Sequence, residues 1–191
     1  MGKKTQPVHI VFVLDRSGSM EWIKHDAAGG FNAFVEEQRK LPGKARITLI
    51  QFDDRYEVNC EKVKLKDAPT LVVGQNYIPR GSTALNDALG KAVTSHESEE
   101  RVIVAVFTDG QENASREYTT ASLKALVERK QADGWEFHYL SSDLNTFANA
   151  AALGVRAANT MQVSPDSLGT QCAYSTLTKS ATKYRDAARS N

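Results

Sequence analysis

The sequence predicts an α/β fold, a three-layer, doubly wound, Rossmann-like arrangement with helices on both faces of a central sheet. Two stretches, residues 8–14 and 101–107, are almost wholly apolar and rich in β-branched side chains, which is typical of strands buried on both faces of a parallel sheet. Segments with helical periodicity alternate with the predicted strands, and this alternation favours parallel strands joined by helical crossovers. We therefore expect a six-stranded, mostly parallel sheet with one antiparallel strand at its edge.

The other four predicted strands differ in how much of their surface they should bury. Residues 45–52 alternate between apolar and polar side chains, which predicts one drier face. Residues 56–65 follow a short turn and carry alternating charges, a pattern suited to an antiparallel edge strand. The last two strands are predicted at residues 135–140 and within residues 155–163.

Five helices are predicted from apolar residues that recur at spacings of three and four. The first runs from about Trp22 to Arg39 and contains Gly29-Gly30, a weak point in helix propensity that close packing against the sheet would explain. The others are expected at about residues 84–93, 118–132, 146–153 and 167–188. We expect the last helix to close a single domain of residues 1–191, whose core spans about residues 8–163.

Composition and charge exclude several classes of function. Hydrophobic residues make up 41% of the chain and charged residues 25%, which is ordinary for a soluble protein. A net charge of +1 gives no electrostatic case for binding nucleic acid or an anionic membrane, and no apolar run is long enough for membrane insertion. Cys60 and Cys172 are only two and lie far apart in the sequence, so we expect free thiols and a cytoplasmic location, with a single disulfide as the alternative. We also expect the isolated chain to be a monomer.

Polar side chains follow the two most buried strands at the point where each strand ends. Asp15, Ser17 and Ser19 come directly after the first strand, and Asp109 follows residues 101–107. Because these strands should be central neighbours, both aspartates belong at the same edge of the sheet. Ligands of such folds bind outside the carboxyl ends of the strands, where the strand order reverses. We therefore expect Asp15 and Asp109 to face one crevice.

Two carboxylates with neighbouring hydroxyls and no adjacent Cys or His form a set of hard oxygen donors. Such donors favour Mg²⁺, Mn²⁺ or Ca²⁺ over zinc. The set is too small for a rigid Ca²⁺ cage, whereas Mg²⁺ keeps several of its waters and fits better. The metal would retain an open position that an acidic side chain of a partner can fill.

Other interpretations of the same residues remain open. Asp15 and Asp109 are also suited to capping helices, and Ser17 and Ser19 to forming turns. A metal-dependent phosphohydrolase would use Asp15 as nucleophile, but that chemistry needs a second acid where Ser17 stands. A dinucleotide site would need a glycine-rich turn that is missing after the first strand. A third alternative is a structural or assembly component in which the metal only stabilises the fold.

Three ordered segments resemble the metal-ion-dependent adhesion site (MIDAS) of the von Willebrand factor A (vWA) domain family. They are Asp15-x-Ser17-x-Ser19, the threonine of Gly81-Ser82-Thr83-Ala84-Leu85, and Thr108-Asp109-Gly110. The order of strands and helices over about residues 8–163 also agrees with the family. The later part of the chain is similar to stand-alone vWA proteins of bacteria and phages.

The resemblance implies a Mg²⁺-dependent protein-binding module rather than an enzyme. By the family's pattern, Ser17 and Ser19 would ligate the metal directly, and Asp15 and Asp109 directly or through water. Thr83 would move in and out of the coordination shell, which links partner binding to movement of its loop and the last helix. A Glu or Asp of a protein partner would complete the coordination. At the position of Arg16 the family accepts almost any residue, and we expect this side chain to face the solvent.

Overall fold

A computed structural model describes residues 7–99, 101–164 and 167–190. Six strands form one sheet, and within the described residues five α-helices accompany it. The strands are β1 (Val8–Asp15), β2 (Ala45–Phe52), β3 (Tyr56–Lys64), β4 (Val102–Thr108), β5 (Glu136–Ser141) and β6 (Thr160–Gln162). The helices are α1 (Lys24–Lys40), α2 (Leu85–Ser95), α3 (Thr120–Ala132), α4 (Thr146–Ala152) and α5 (Ser167–Ser190).

The strand order is β3-β2-β1-β4-β5-β6, and only β3 runs antiparallel to its neighbour. The predicted fold class is therefore confirmed. Strand β1 pairs with β2 on one side and with β4 on the other, so the chain order reverses around β1. Such a reversal leaves a crevice at the carboxyl ends of the two central strands. Asp15 and Asp109 lie at these two strand ends.

Side chains that alternate along the central strands pack into two separate hydrophobic cores, one on each face of the sheet. Ile10, Phe12 and Leu14 of β1 pack with residues of α1 and α5 on one face. Val11 and Val13 pack with residues of α2, α3 and α4 on the other. All eight residues of β1 are buried, as a strand covered on both faces requires.

The glycine pair in α1 has a packing role at one of its two positions. A methyl group on Gly30 would lie 2.1 Å from two ring carbons of Tyr174 in α5, whereas a methyl group on Gly29 would contact nothing within 4 Å. The close packing expected from the sequence is therefore present at Gly30, but the neighbour is a helix and not the sheet. The absence of a side chain lets the Tyr174 ring lie directly against the backbone of α1.

Both edges of the sheet are short or irregular. Strand β3 carries register shifts opposite Leu49, and its Lys62 has a φ of 49°, a backbone conformation typical of a bulge or turn. At the other edge, β6 has three residues. None of the helices in the described ranges is long and apolar enough to span a membrane.

Candidate metal centre

Asp15 lies at the end of β1 with its carboxylate fully buried. Its Oδ1 accepts a hydrogen bond from the Ser17 backbone N–H at 2.6 Å, and its Oδ2 accepts one from Thr108 Oγ1 at 2.5 Å. The Asp15 carbonyl accepts a third from the hydroxyl of Tyr77 at 2.7 Å. These bonds fix both the side chain and the backbone at the point where the strand becomes a loop.

The two serines after β1 form a chain of hydrogen bonds to the end of β4. Ser17 Oγ and Ser19 Oγ are 3.0 Å apart, and Ser19 Oγ donates to Asp109 Oδ1 at 2.8 Å. The other carboxylate oxygen of Asp109, Oδ2, accepts from the indole N–H of Trp22 at 2.9 Å. Ser19 and Trp22 both lie in a 3₁₀ turn over residues 18–22. Helix α1 therefore begins at Lys24, later than its predicted start at Trp22.

Thr83 comes from a different loop and reaches the same place. A methyl group on Gly110 would lie 3.1 Å from Thr83 Oγ1, 3.3 Å from Ser19 Oγ and 3.7 Å from Asp15 Oδ2. Oxygens of three side chains, two from the end of β1 and the loop after it and one from the loop of Thr83, therefore surround the side of Gly110 that has no side chain. The structure brings together all five residues that the sequence singled out, and we call them the oxygen cluster: Asp15, Ser17, Ser19, Thr83 and Asp109.

Asn113 hydrogen-bonds to both backbone groups of Thr83. Its Oδ1 accepts from the Thr83 N–H at 2.9 Å, while its own N–H donates to the Thr83 carbonyl at 3.0 Å. The sequence pattern gives no indication of this contact between Asn113 and Thr83. Thr108, whose hydroxyl contacts Asp15, belongs to the Thr108-Asp109-Gly110 motif, but the motif by itself gives this threonine no role. Both contacts join residues distant in the chain, and no local pattern would have revealed them.

Burial raises the pKa of both carboxyl groups in the oxygen cluster. The pKa of Asp15 rises from 3.8 to about 6, mainly because the group is desolvated, with a smaller contribution from the charge of Asp109. Hydrogen bonds from Thr108 and Ser17 oppose this rise. The pKa of Asp109 is raised by burial too, against hydrogen bonds from Ser19 and Trp22. Two carboxylates held together in this way create a site where a cation would relieve both desolvation and repulsion.

The donor set fits a divalent cation that prefers oxygen. Within the described ranges neither Asp15 nor Asp109 forms an ion pair with Lys, Arg or His. The same ranges contain no group of three or more His, Cys, Asp or Glu residues that could hold a metal, so a metal here depends on the hydroxyls of Ser17, Ser19 and Thr83. Hydroxyls and carboxylates are ligands of Mg²⁺, Mn²⁺ and Ca²⁺.

Helix capping does not account for the two aspartates. The 3₁₀ turn after β1 has Ser17 and not Asp15 at its N-cap position, and Ser17 makes no side-chain capping bond. Asp15 instead accepts a hydrogen bond from the N–H of Ser17. Asp109 does not precede a helix directly, because α3 begins at Thr120 and is capped by Thr119.

The expected solvent exposure of Arg16 is wrong. This side chain is 6% exposed, and its Nε donates to Asp53 Oδ2 at 3.0 Å. The cause is the parallel register of β1 and β2, which pairs Asp15 with Phe52 and so sets Arg16 beside Asp53. Asp53 is itself fully buried.

Comparison with known protein families agrees with this fold. The model of the family described as VWA domain containing CoxE-like protein matches residues 2–163. The chain belongs to this family. The matched range includes every member of the oxygen cluster, and the predicted resemblance to vWA domains is confirmed. A search of curated protein sequences finds no match for this VWA domain.

Solved structures of other vWA proteins share the fold of this VWA domain. The vWF domain of the type V pili tip protein Mfa5 from Porphyromonas gingivalis has a TM-score of 0.70 at 12% identity, over 95% of this chain and 97% of that one. The PilB minor pilin from Streptococcus sanguinis has a TM-score of 0.75 at 13% identity, over 97% of this chain and 63% of the pilin.

A third similar structure carries a metal. Proximal thread matrix protein 1 from the mussel byssus, solved with zinc in its MIDAS motif, has a TM-score of 0.67 at 15% identity, over 93% of this chain and 46% of that one. This VWA domain thus spans less than two thirds of the pilin and of the mussel protein. At these identities the similarity establishes the fold.

Proposed function

We propose that this VWA domain is a protein-binding module whose contact is centred on a Mg²⁺ ion. The ion would be held by the oxygen cluster, and a Glu or Asp of the partner would take the position that the domain leaves open. The observation that carries this proposal is the convergence of the five oxygen-bearing side chains at the carboxyl edge of the two central strands. Their two carboxylates have no basic partner among the described residues.

The choice of metal follows from the donors. The oxygen cluster offers no nitrogen or sulfur ligand, and Mg²⁺ tolerates a shell completed by water and a partner's carboxylate. Mn²⁺ and Ca²⁺ accept the same donors. The mussel protein was solved with zinc in its motif, so zinc belongs among the metals to be compared.

The surface around the oxygen cluster supports a macromolecular partner. Trp22, which contacts Asp109, is 53% exposed, and Leu144 and Phe147, which follow β5 at the same edge, are 89% and 52% exposed. Large apolar side chains beside a polar centre are typical of protein interfaces. A polar groove of about 660 Å³ begins next to Thr83, between Ser82 and Asn113, and offers further room for a bound segment.

Calorimetry with Mg²⁺, Mn²⁺, Ca²⁺ and Zn²⁺ tests the metal site. Asp109→Asn should weaken Mg²⁺ binding more than about 100-fold, since changing even the partners of metal ligands costs about 10- to 100-fold. Asp143→Asn is the matched control, because Asp143 follows β5 at the same edge and contacts Asn145 and Asn149 instead of the oxygen cluster. Equal heats for the parent and Asp109→Asn would refute the metal site.

The partner's role requires a separate test. We expect a protein captured from the native host with Mg²⁺ present to be released by chelator and not to bind Asp109→Asn. In the captured protein, one single Glu→Gln or Asp→Asn substitution should abolish binding. A captured protein that binds equally well with chelator would contradict a metal-centred contact.

The two alternatives make different predictions. A phosphohydrolase would turn over p-nitrophenyl phosphate with Mg²⁺ and lose this activity in Asp15→Asn. A purely structural metal would raise the melting temperature without any dependence on an acidic partner. We favour the binding module because Ser17, which stands where the phosphatase mechanism needs an acid, hydrogen-bonds to Ser19 within the oxygen cluster.

We also propose a cytoplasmic location and a monomeric state for the isolated chain. Cys60 and Cys172 are both free thiols in the structure, which suits a reducing compartment. Gel filtration of the isolated chain tests the monomer, and fractionation of the native host tests the location.

A further inference from the structure

Four charged side chains next to the oxygen cluster form a closed ion-pair network, which we call the clasp: Arg16, Asp53, Glu57 and Arg80. The Nε atoms of Arg16 and Arg80 both donate to Asp53 Oδ2, at 3.0 and 2.9 Å. Both guanidinium groups also bind Glu57: Arg16 Nη1 donates to Oε2 and Arg80 Nη2 to Oε1, each at 2.8 Å. Each arginine therefore contacts each carboxylate.

The clasp joins three segments that lie far apart in the chain. Arg16 belongs to the loop after β1, Asp53 and Glu57 to the turn between β2 and β3 and the start of β3, and Arg80 to the loop that carries Thr83. Backbone hydrogen bonds connect the same segments. They run from the Arg80 N–H to the Arg16 carbonyl (2.7 Å), from the Gly18 N–H to the Gly81 carbonyl (3.1 Å) and from the Ala84 N–H to the Asp53 carbonyl (2.9 Å).

The charges of the clasp balance among themselves. Asp53 is fully buried and Arg16 nearly so, whereas Glu57 and Arg80 are partly exposed. The hydrogen bond from Arg16 lowers the pKa of Glu57. Buried charges must be paired, and here each one finds its counter-charge inside the clasp. Neither arginine is therefore engaged by the carboxylates of the oxygen cluster, and those remain available to a cation.

We propose that the clasp fixes the Thr83 loop, residues 80–84, against the loop after β1, so that the oxygen cluster is assembled before any metal arrives. The metal part of this inference rests on the proposed function; the rigidity of the loop does not. Arg16, Asp53, Glu57 and Arg80 are positioning residues, because they act through the backbone of the loops that carry Ser17, Ser19 and Thr83. Thr83 is then a fixed member of the shell, unlike the mobile threonine implied by the family resemblance.

Arg80→Met tests this inference with Arg55→Met as its matched control. The methionine keeps the backbone N–H of residue 80 and much of the side-chain bulk but removes the guanidinium. Arg55 lies in the adjacent turn and has no side-chain ion pair among the described contacts. In metal-free protein, hydrogen exchange at residues 80–84 and at Gly18 should accelerate in Arg80→Met, while exchange in β4 stays unchanged.

Mg²⁺ affinity gives the second readout. If the loop of Arg80→Met is in place in about one molecule in ten, its dissociation constant for Mg²⁺ rises about tenfold. Arg55→Met should bind as the parent does. In the parent, adding Mg²⁺ should leave exchange at Arg80 and Ala84 almost unchanged, because the loop is already fixed.

The outcomes separate the clasp from the metal site. If residues 80–84 exchange as slowly in Arg80→Met as in the parent, the proposed role of the clasp is refuted. Strong protection of that loop by Mg²⁺ in the parent would refute it too. If the parent binds no Mg²⁺, the proposed function fails, but the exchange comparison in metal-free protein still decides whether the clasp holds the loop. If Arg80→Met does not fold, Glu57→Gln replaces it, since it removes one charge from the exposed side of the clasp and keeps the shape of the side chain.

Discussion

The glycine pair in α1 provides two matched substitutions that should change the free energy of unfolding in opposite directions. In Gly29→Ala the new methyl group meets nothing within 4 Å. Alanine is favoured over glycine in a helix by about 1 kcal/mol. We therefore expect Gly29→Ala to stabilise the protein by about that amount.

In Gly30→Ala the same gain is opposed by a clash. The methyl group would lie 2.1 Å from ring carbons of Tyr174. That ring cannot easily shift, since it stacks on Phe107 and Phe12 and its hydroxyl donates to the Ala27 carbonyl at 3.1 Å. Overpacking costs about 1–3 kcal/mol, and a lost hydrogen bond adds about 1 kcal/mol. After subtracting the helix propensity, we expect a net loss of about 1–3 kcal/mol.

Urea unfolding followed by circular dichroism measures both variants. Their free energies of unfolding should differ by about 2–4 kcal/mol. Tyr174→Ala in the Gly30→Ala background removes the clash, so the two substitutions should be strongly non-additive. If Gly30→Ala proves as stable as Gly29→Ala, the ring is not held against the α1 backbone and the reasoning is refuted.

Three further predictions concern residues near the two ends of the sheet. Burial, together with the charge of His96, lowers the pKa of His9 from 6.5 to about 3. Below pH 6.5 the unfolded chain therefore binds a proton that the folded chain excludes. The free energy of unfolding should fall by about 2 kcal/mol from pH 7 to pH 5. Urea unfolding at both pH values measures this, and His9→Gln should reduce the difference. Tyr77→Phe removes the hydrogen bond to the Asp15 carbonyl and should lower the free energy of unfolding by about 1 kcal/mol. Trp22 contacts Asp109 and is exposed, so its fluorescence should change when Mg²⁺ is added.

Each of these predictions has its own control. For His9, the charged or titratable groups nearby are His96, Glu99, Lys62 and Arg46, and a pH dependence that survives in His9→Gln would assign the effect to them. For Tyr77, an unchanged free energy of unfolding in the phenylalanine variant would contradict the hydrogen bond. For Trp22, the phenylalanine variant should lose the Mg²⁺ response, because Trp135 is buried at the opposite end of the sheet.

Most of the fold followed from local sequence patterns. Apolar runs and helical spacing depend on short segments, which is why the strand over residues 45–52 was predicted at its observed bounds and the central position of the first strand was anticipated. The meeting of Asp15 and Asp109 was predicted because they follow two strands that were expected to be central neighbours. Thr83 was assigned to the same site only through the resemblance to the vWA family. The ligand role of these residues stays a proposal that the calorimetry tests.

The parts that could not be predicted depend on contacts between distant residues. Arg16 is buried only because Asp53, 37 positions away, and Glu57, 41 positions away, provide its counter-charges. Similarly, Trp22 meets Asp109 across 87 positions. Nothing in the neighbourhood of Arg16 distinguishes a buried, paired arginine from a solvated one, since the difference lies in the register of β1 and β2.

The edges of the sheet restrict how this domain can associate. Many proteins recruit a partner by adding one of its strands to a free sheet edge, which needs a regular row of unpaired backbone groups. Strand β3 is broken by register shifts and carries the charged side chains of Glu57, Glu61 and Lys64, while β6 offers three residues. Neither edge provides a template for such strand addition. The partner that we propose would therefore be recognised through side chains, such as those of the oxygen cluster at the carboxyl edge of the sheet.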